Sequence, residues 1–540
     1  MKKLTEKQKK WIERTIDNDR SYKRFLYGRF YTFLFAVFAQ LVGFGVLVYL
    51  LAYNSPWALA LQIVTVILEI VFVIYIISGH ERPSSRLNWI ILILTVPIFG
   101  VPMYLMNGRG RPARRMKKKV LQAQKTTLNA IENECGSIEI PAPKTRDEAI
   151  AHYLAKHCRY PLFTTGTVEY YKSGEEMFPH MLEELEKAEK FILFEYFIIA
   201  HGKMWNQILK ILVKKAMQGV KIRIIYDDFG CMMNLSPKYE RYLEGLHENI
   251  KCVSFNPVVP FFALRMNHRD HRKILVIDGK VGFTGGINIA DEYIAEKERF
   301  GYWKDSGIKI TGESVRSLTQ AFFYLWTAFS ADKEPINAYL PPANSEKTPQ
   351  ANQEKTDEKP IHIQPYDDSP LDLTSTGESV YADVINRAKS YVWIFTPYLV
   401  LDDYLRGALC TAALRGVDVR IVTPGIPDKK TIFRLTRANY TVLLKAGVKI
   451  YEYTPGFIHA KSIISDDECA VVGTINFDYR SLYHHFENAV YFSGTDAVLS
   501  LKRDCEETFA ISKECTLENT KRGIIGRQID AVLRVFETLL

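Results

Sequence analysis

Two sets of residues able to handle a phosphoryl group recur in this 540-residue chain at matching offsets. His271-Arg272-Lys273 is followed after four residues by Asp278, and after six more by Gly285-Gly286-Ile287-Asn288. About 190 residues later His459-Ala460-Lys461, Asp466 and Gly473-Thr474-Ile475-Asn476 keep the same gaps. An imidazole supplies a nucleophile or a proton. An ammonium supplies positive charge, and carboxamide and backbone N–H groups supply neutral donors for non-bridging oxygens. Such a motif is a hypothesis that stands or falls on its structural context.

That context must be a β-hairpin. Histidine and lysine two residues apart share one face of a strand. The apolar runs Ile274-Leu275-Val276-Ile277 and Ser462-Ile463-Ile464-Ser465 follow, ending in Asp278-Gly279-Lys280 and Asp466-Asp467-Glu468. An acidic turn between two apolar runs predicts a tight reversal. The return strands, Val281-Gly282-Phe283 and Ala470-Val471-Val472, then bring the small residues and the asparagine back beside the histidine.

These residues resemble the phospholipase D superfamily, whose hallmark is H-x-K-x4-D followed by G-G/S-x-N. The likeness extends to Asn267-His268-Arg269-Asp270, Ile289-Ala290-Asp291-Glu292-Tyr293, Phe477-Asp478-Tyr479-Arg480-Ser481 and Phe486-Glu487-Asn488. With the apolar N-terminal runs, it covers nearly the whole chain and is similar to the bacterial cardiolipin synthases of that superfamily. Thr474 is a mild departure, where Gly or Ser is usual. The resemblance implies two copies meeting across a pseudo-two-fold axis to make one active site.

It also implies a set of roles. The motif residues are His271, Lys273, Asp278, His459, Lys461 and Asp466. One imidazole attacks a phosphodiester and forms a phosphohistidine; the other protonates the departing alcohol and then deprotonates the incoming one. By family analogy His271 is the nucleophile and His459 the general acid/base, although near-symmetry leaves the exchange open. Lys273 and Lys461 would hold phosphoryl oxygens, with Asn288 and Asn476 as neutral donors. Asp278 and Asp466, at the hairpin turns, are expected to fix those turns. Asp305 and Glu487, 34 and 28 residues beyond their histidines, are the carboxylates expected to orient the imidazoles. His268, Arg269 and Arg480 fit either a lipid headgroup or scaffold packing, and His484 and His485 read as surface residues. No metal ligand set and no cofactor are expected.

The repeat exceeds the motif. Gly174-Glu175-Glu176 opens an amphipathic helix leading to the apolar strand Phe191–Tyr196, and Gly377-Glu378-Ser379 opens another leading to Tyr391–Phe395. Ala216-Met217-Gln218-Gly219-Val220 and Ala413-Leu414-Arg415-Gly416-Val417 each end a helix at glycine before a buried strand. The expected fold class is therefore α/β: two pseudo-symmetric halves, each a mixed sheet flanked by helices, plus N-terminal transmembrane helices. The boundaries read as 1–120 membrane region, 121–164 connector, 165–335 first half, 336–370 linker and 371–540 second half. Within the linker, residues 342–360 contain no Val, Ile, Leu, Met, Phe, Trp, Tyr or Cys. The amphipathic tail from Ile524 is expected to pack on the body, with docking on the membrane as the alternative.

Charge locates the partner. Residues 1–119 hold 19 Lys and Arg against 6 Asp and Glu, whereas the remaining 421 residues carry a net −4. The basic excess flanks apolar runs at 30–53, 56–78 (interrupted by Glu69) and 87–106, where it favours anionic lipid. A nucleic-acid groove would put that charge on the catalytic body, so no nucleic-acid partner is expected. Basic clusters before the first run and at 109–119 both belong on the cytoplasmic side, which calls for an even number of crossings. Two spans with the Pro-broken third run re-entrant or interfacial, and a cytoplasmic body at the bacterial plasma membrane, meet that rule. Glu69 is either a functional acid or a protonated residue between helices. The eight cysteines show no C-x-x-C pair and read as reduced thiols.

The expected reaction is phosphatidyl transfer between two phosphatidylglycerol molecules, giving cardiolipin and glycerol. Hydrolysis or transfer to another alcohol is the alternative within enzymes. A non-catalytic scaffold and a nuclease are the other classes; the intact motifs speak against the first and the charge balance against the second. Oligomeric state is not legible.

Overall fold

The computed structural model describes residues 5–17, 58–79, 82–108, 114–135, 146–258, 267–340, 360–372 and 374–535, together with isolated positions at 38–49, 143 and 537. The first apolar run and the 342–360 segment lie almost wholly outside these residues.

Two mixed sheets form the body. The first has seven strands: β1 (Val168–Tyr171), β2 (Phe191–Tyr196), β3 (Lys221–Asp227), β4 (Ile250–Phe255), β5 (Lys273–Ile277), β6 (Val281–Gly285) and β8 (Gly307–Thr311), in the order β1-β8-β6-β5-β2-β3-β4. A short strand β7 (Tyr302–Lys304) lies apart from it. The second has eight: β9 (His362–Asp368), β10 (Tyr391–Phe395), β11 (Asp418–Pro424), β12 (Lys449–Tyr453), β14 (Ser462–Ser465), β15 (Cys469–Gly473), β16 (Glu487–Ser493) and β17 (Ser512–Cys515), in the order β17-β12-β11-β10-β14-β15-β16-β9. The β2–β3–β4 and β10–β11–β12 pairings are parallel, and the motif hairpins β5–β6 and β14–β15 are antiparallel.

Strand periodicity explains how the sheets pack. Side chains alternate faces along a strand. In β2, Ile192 and Phe194 face the helices Gly174–Lys187 and Lys203–Met217, while Phe191 and Leu193 enter a central core. In β10, Val392 and Ile394 face outward and Tyr391, Trp393 and Phe395 inward. The central core takes side chains from both sheets and from the helices Val315–Phe329 and Asp496–Ala510. Both sheets are thus buried on both faces, so their strands read as continuous apolar runs.

The linker boundary shifts. Residues 362–368, expected in a linker, form β9, an edge strand paired along its length with β16. Its run of buried polar residues (Gln364, Asp367, Asp368) hid it from apolar periodicity. The connector is helical over Arg114–Cys135 and Arg146–Lys156.

At the N-terminal end, among the described residues, no helix is long and apolar enough to cross a membrane. The second apolar run forms one continuous helix, Ala58–Ile77, with Glu69 inside it. The third breaks at its prolines into Pro83–Thr95 and Pro97–Met103, continued by one π-helical turn over Tyr104–Gly108. Trp89, Leu92, Ile93, Val101 and Tyr104 pack against Ile76.

Candidate active site

Each hairpin turn is held from outside. Asp278 and Asp466 adopt positive φ (54° and 55°). The Asp278 carboxylate accepts the backbone N–H groups of Glu189, Lys190 and Phe191 at 2.7–2.8 Å, and Asp466 those of Lys389, Ser390 and Tyr391 at the same distances. Each therefore pins its turn to the start of the neighbouring strand. Six residues of largely extended chain lie between His271 and Asp278, which puts them roughly 20 Å apart. These backbone contacts lie at the turn end of each hairpin, where the two aspartates are expected to fix the reversal.

The histidines and lysines lie at the other end of the hairpins. Lys273 opens β5, and His459 and Lys461 precede β14, so the two side chains sit at the strand entry rather than within it. What places them is pairing between the halves. β7 runs parallel to β13 (Gly456–Ile458), with Lys304 opposite Ile458, so the next residues, Asp305 and His459, are neighbours. A parallel bridge between Asp270 and Phe486 does the same for His271 and Glu487. His459 Nδ1 lies 2.6 Å from Asp305 Oδ2, and His271 Nδ1 lies 2.8 Å from Glu487 Oε2. The sequence put each carboxylate with the histidine of its own half; the structure exchanges them, because the connecting backbone contacts cross between halves.

Supporting contacts fix the carboxylates. Thr474 Oγ1 donates to Glu487 Oε2 at 2.5 Å and accepts from Asn488 N–H at 2.9 Å. In the first half Gly286 stands at that place, and a Cβ there would lie 2.0 Å from Asp305 Oδ1. Asp305 Oδ1 accepts instead from Ser306 N–H at 2.8 Å. The Gly/Thr difference between the motifs thus follows from how each carboxylate is held. Asn488 joins the halves: its Nδ2 donates to Thr284 Oγ1 at 2.7 Å.

Burial and like charge set the protonation states. Burial pushes His271 well below the usual imidazole range, assisted by the positive charge of Lys273 and Lys461. Burial, and then Lys461, push His459 down to about 4, with Asp305 opposing. Burial lowers Lys273 to about 7 and Lys461 to about 8. Burial also works against the Asp305 carboxylate, but Lys461 and His459 outweigh it and keep that group below its ordinary value. Each histidine feels the charge on the opposite half's lysine, so the two motifs share one field. Lys273 Nζ donates to His271 O at 2.6 Å; Lys461 Nζ lies 2.8 Å from His459 Nδ1.

The asparagines are less free than expected. Asn288 Oδ1 accepts from Ile198 N–H at 3.1 Å and its Nδ2 donates to Tyr293 O–H at 2.8 Å. Asn476 Nδ2 donates to Asp478 at 3.1 Å. Arg269 is buried, donates to Asn256 O at 2.8 Å and lies 3.7 Å from Asp227. His268 Nδ1 lies 2.9 Å from His484 O, again joining the halves.

Two features escaped the sequence. His485, expected at the surface, has a side chain only 11% exposed, lies 3.6 Å from Glu487, and its ring centroid is 5.6 Å from that of His271. Burial pushes it down to about 3. His271, His485 and Glu487 bring one donor atom each within 4.8 Å, the one group among the described residues able to hold a metal ion. Below His271, Arg272 is fully buried among Glu195 (2.5 Å), Asp270 (3.3 Å) and Asp367 (3.7 Å). The adjacency of His485 to a motif residue was the only available signal for the first. The second had none, because Glu195 and Asp367 are distant in sequence.

Comparison with known proteins agrees with this geometry. The family described as cardiolipin synthase, phospholipase D-like domain, matches residues 181–326 and 381–509, and one described as phospholipase D-nuclease N-terminal matches 67–109. A cardiolipin synthase of Alkalihalophilus pseudofirmus is 34% identical over 495 residues, 90% of this chain and 95% of its own. One from Geobacillus kaustophilus is 35% identical over 479 residues, 87% and 92% of the two chains. An uncharacterized protein of Streptococcus mutans is 42% identical over 472 residues, 87% and 99%. The crystal structure of a phosphatidylserine synthase from Haemophilus influenzae shares the fold, with a TM-score of 0.53 at 16% identity over 69% of this chain and 95% of that one. The chain belongs to the cardiolipin synthase family of the phospholipase D superfamily.

Proposed function

We propose that this protein is a phosphatidyltransferase that condenses two phosphatidylglycerol molecules to cardiolipin and glycerol. The observation that carries the reading is the pair of buried imidazoles, each oriented by a carboxylate from the other half. With Nδ1–H donated to Glu487, His271 presents Nε2 as a lone pair. It attacks phosphorus, the P–O bond to glycerol breaks, and His459 gives that oxygen its proton. His459 then takes the proton from the hydroxyl of a second phosphatidylglycerol, whose oxygen displaces His271 from phosphorus. A bound phosphodiester anion between the lysines raises the proton affinity of His459, as the first step requires. Lys273 and Lys461 hold the non-bridging oxygens.

The N-terminal region is proposed to hold the body at the cytoplasmic face of the membrane. The helix Ala58–Ile77 is about 30 Å long at 1.5 Å per residue. It exposes Ile63, Val64, Ile67, Ile70, Val71 and Ile74, a surface that suits lipid better than water. The helices Pro83–Thr95 and Pro97–Met103 fold back on that helix, with Trp89, Leu92 and Ile93 packed against Ile76, and would lie with it against the lipid. The test is product analysis: purified protein in phosphatidylglycerol vesicles should yield cardiolipin and glycerol in equal amounts. Phosphatidic acid without cardiolipin would make it a hydrolase.

A further inference from the structure

The C-terminal helix Ile524–Val535 does not bury the apolar face that its sequence builds. Ile525, Ile529 and Val532 share one side at helical spacing and are 78%, 44% and 60% exposed; Ile524 is 70% exposed. The opposite side carries buried Asp530, which pairs with Arg434 at 2.6 Å and Arg522 at 2.5 Å and fixes the helix to the body. Leu533 packs beside Val400, Leu435 and Tyr479. The sequence expectation that the apolar stripe packs on the body is therefore met only by its edge.

What this face meets is indicated by its neighbour. Asn88, in the helix Pro83–Thr95, donates to Arg534 O at 3.3 Å. That helix also exposes an apolar stripe, Leu87, Ile91 and Leu94. Exposed Lys521 and Arg527 lie at the start of the C-terminal helix. An exposed apolar stripe, basic flanks and a position beside an apolar N-terminal hairpin are the attributes of a helix lying in an anionic interface.

We propose that the helix Ile524–Val535 docks into the headgroup region of the bilayer, a second contact from the far end of the chain that sets the height of the active site above the lipid. The proposal rests on the membrane placement of the N-terminal region argued above.

Two substituted full-length proteins test it, Ile525→Cys and Ile67→Cys. Each carries an environment-sensitive fluorophore and sits in phosphatidylglycerol vesicles containing spin-labelled lipid, with the labelled unsubstituted protein as background. Quenching at both positions is the expected result. An unquenched, water-exposed label at 525 with quenching at 67 overturns the docking while leaving the N-terminal placement intact. Quenching at neither removes both, and quenching at 525 alone keeps the docking helix. A label at 525 shielded from water yet unquenched would put protein on this face, a second copy included, and overturn the proposal. As a functional readout, Ile525→Glu with Val532→Glu should lower the rate on vesicles about tenfold and leave the rate on detergent-dispersed short-chain substrate within about twofold. An undiminished vesicle rate would count against it.

Discussion

At His271 and His459, burial and two lysines favour the neutral ring, while a carboxylate on each Nδ1 favours the charged one. Replacing Glu487 by Gln removes that counter-charge and should lower kcat about 10- to 100-fold with little change in fold. The order of roles is testable with a phosphodiester whose leaving group needs no proton, such as a p-nitrophenyl ester. His459→Ala should then release one equivalent of p-nitrophenol and stall with phosphorus on His271, detectable by mass spectrometry; phosphorylation elsewhere would reverse the assignment. The lysines set the alkaline limb. In the proposed reaction protonated Lys273 and Lys461 bind the anion, and their values of about 7 and about 8 mean that charge is lost as pH rises through that window. Accordingly kcat/KM should fall above pH about 7, and the same limb in kcat should lie higher because bound phosphate stabilises the charged ammoniums.

At the scale of elements, Asp278 and Asp466 hold each hairpin by three backbone N–H groups. Asp278→Ala should cost about 1.5–3 kcal/mol in stability, seen as a lower Tm, while the protein that remains folded keeps its kcat. A loss of kcat without loss of Tm would return Asp278 to the chemistry. These hairpins were legible because everything that specifies them is local: an apolar run, an acidic turn and a return run. The swap of Asp305 and Glu487 between histidines was not. It depends on β7 pairing with β13 and on the Asp270–Phe486 bridge, contacts between segments more than 150 residues apart with no common pattern. β9 escaped for a different reason, since an edge strand with Gln364, Asp367 and Asp368 buried carries no apolar alternation.

Across the whole molecule, the N-terminal hairpin is latched to the second half. Arg82 donates to Glu378 at 2.7 Å and to Asp402 at 2.6 Å and lies 3.8 Å over the Tyr483 ring, while Ser84 and Tyr479 share a hydrogen bond. Both carboxylates are more than nine-tenths buried, so Arg82→Ala leaves two buried acids without their counter-charge. A cost of about 2–3 kcal/mol is expected, reduced from the value for a fully buried pair because Arg82 itself is one-third exposed. Limited proteolysis between residues 77 and 83 should then speed up. The exchanged carboxylates carry a different consequence. Neither half owns a correctly aimed imidazole, so a gene cut between the two motifs should give fragments that are inert apart and active once mixed. A chain of half this length could reach the same arrangement only by pairing with its own twin, which makes fusion of two such twins a simple origin for the present molecule.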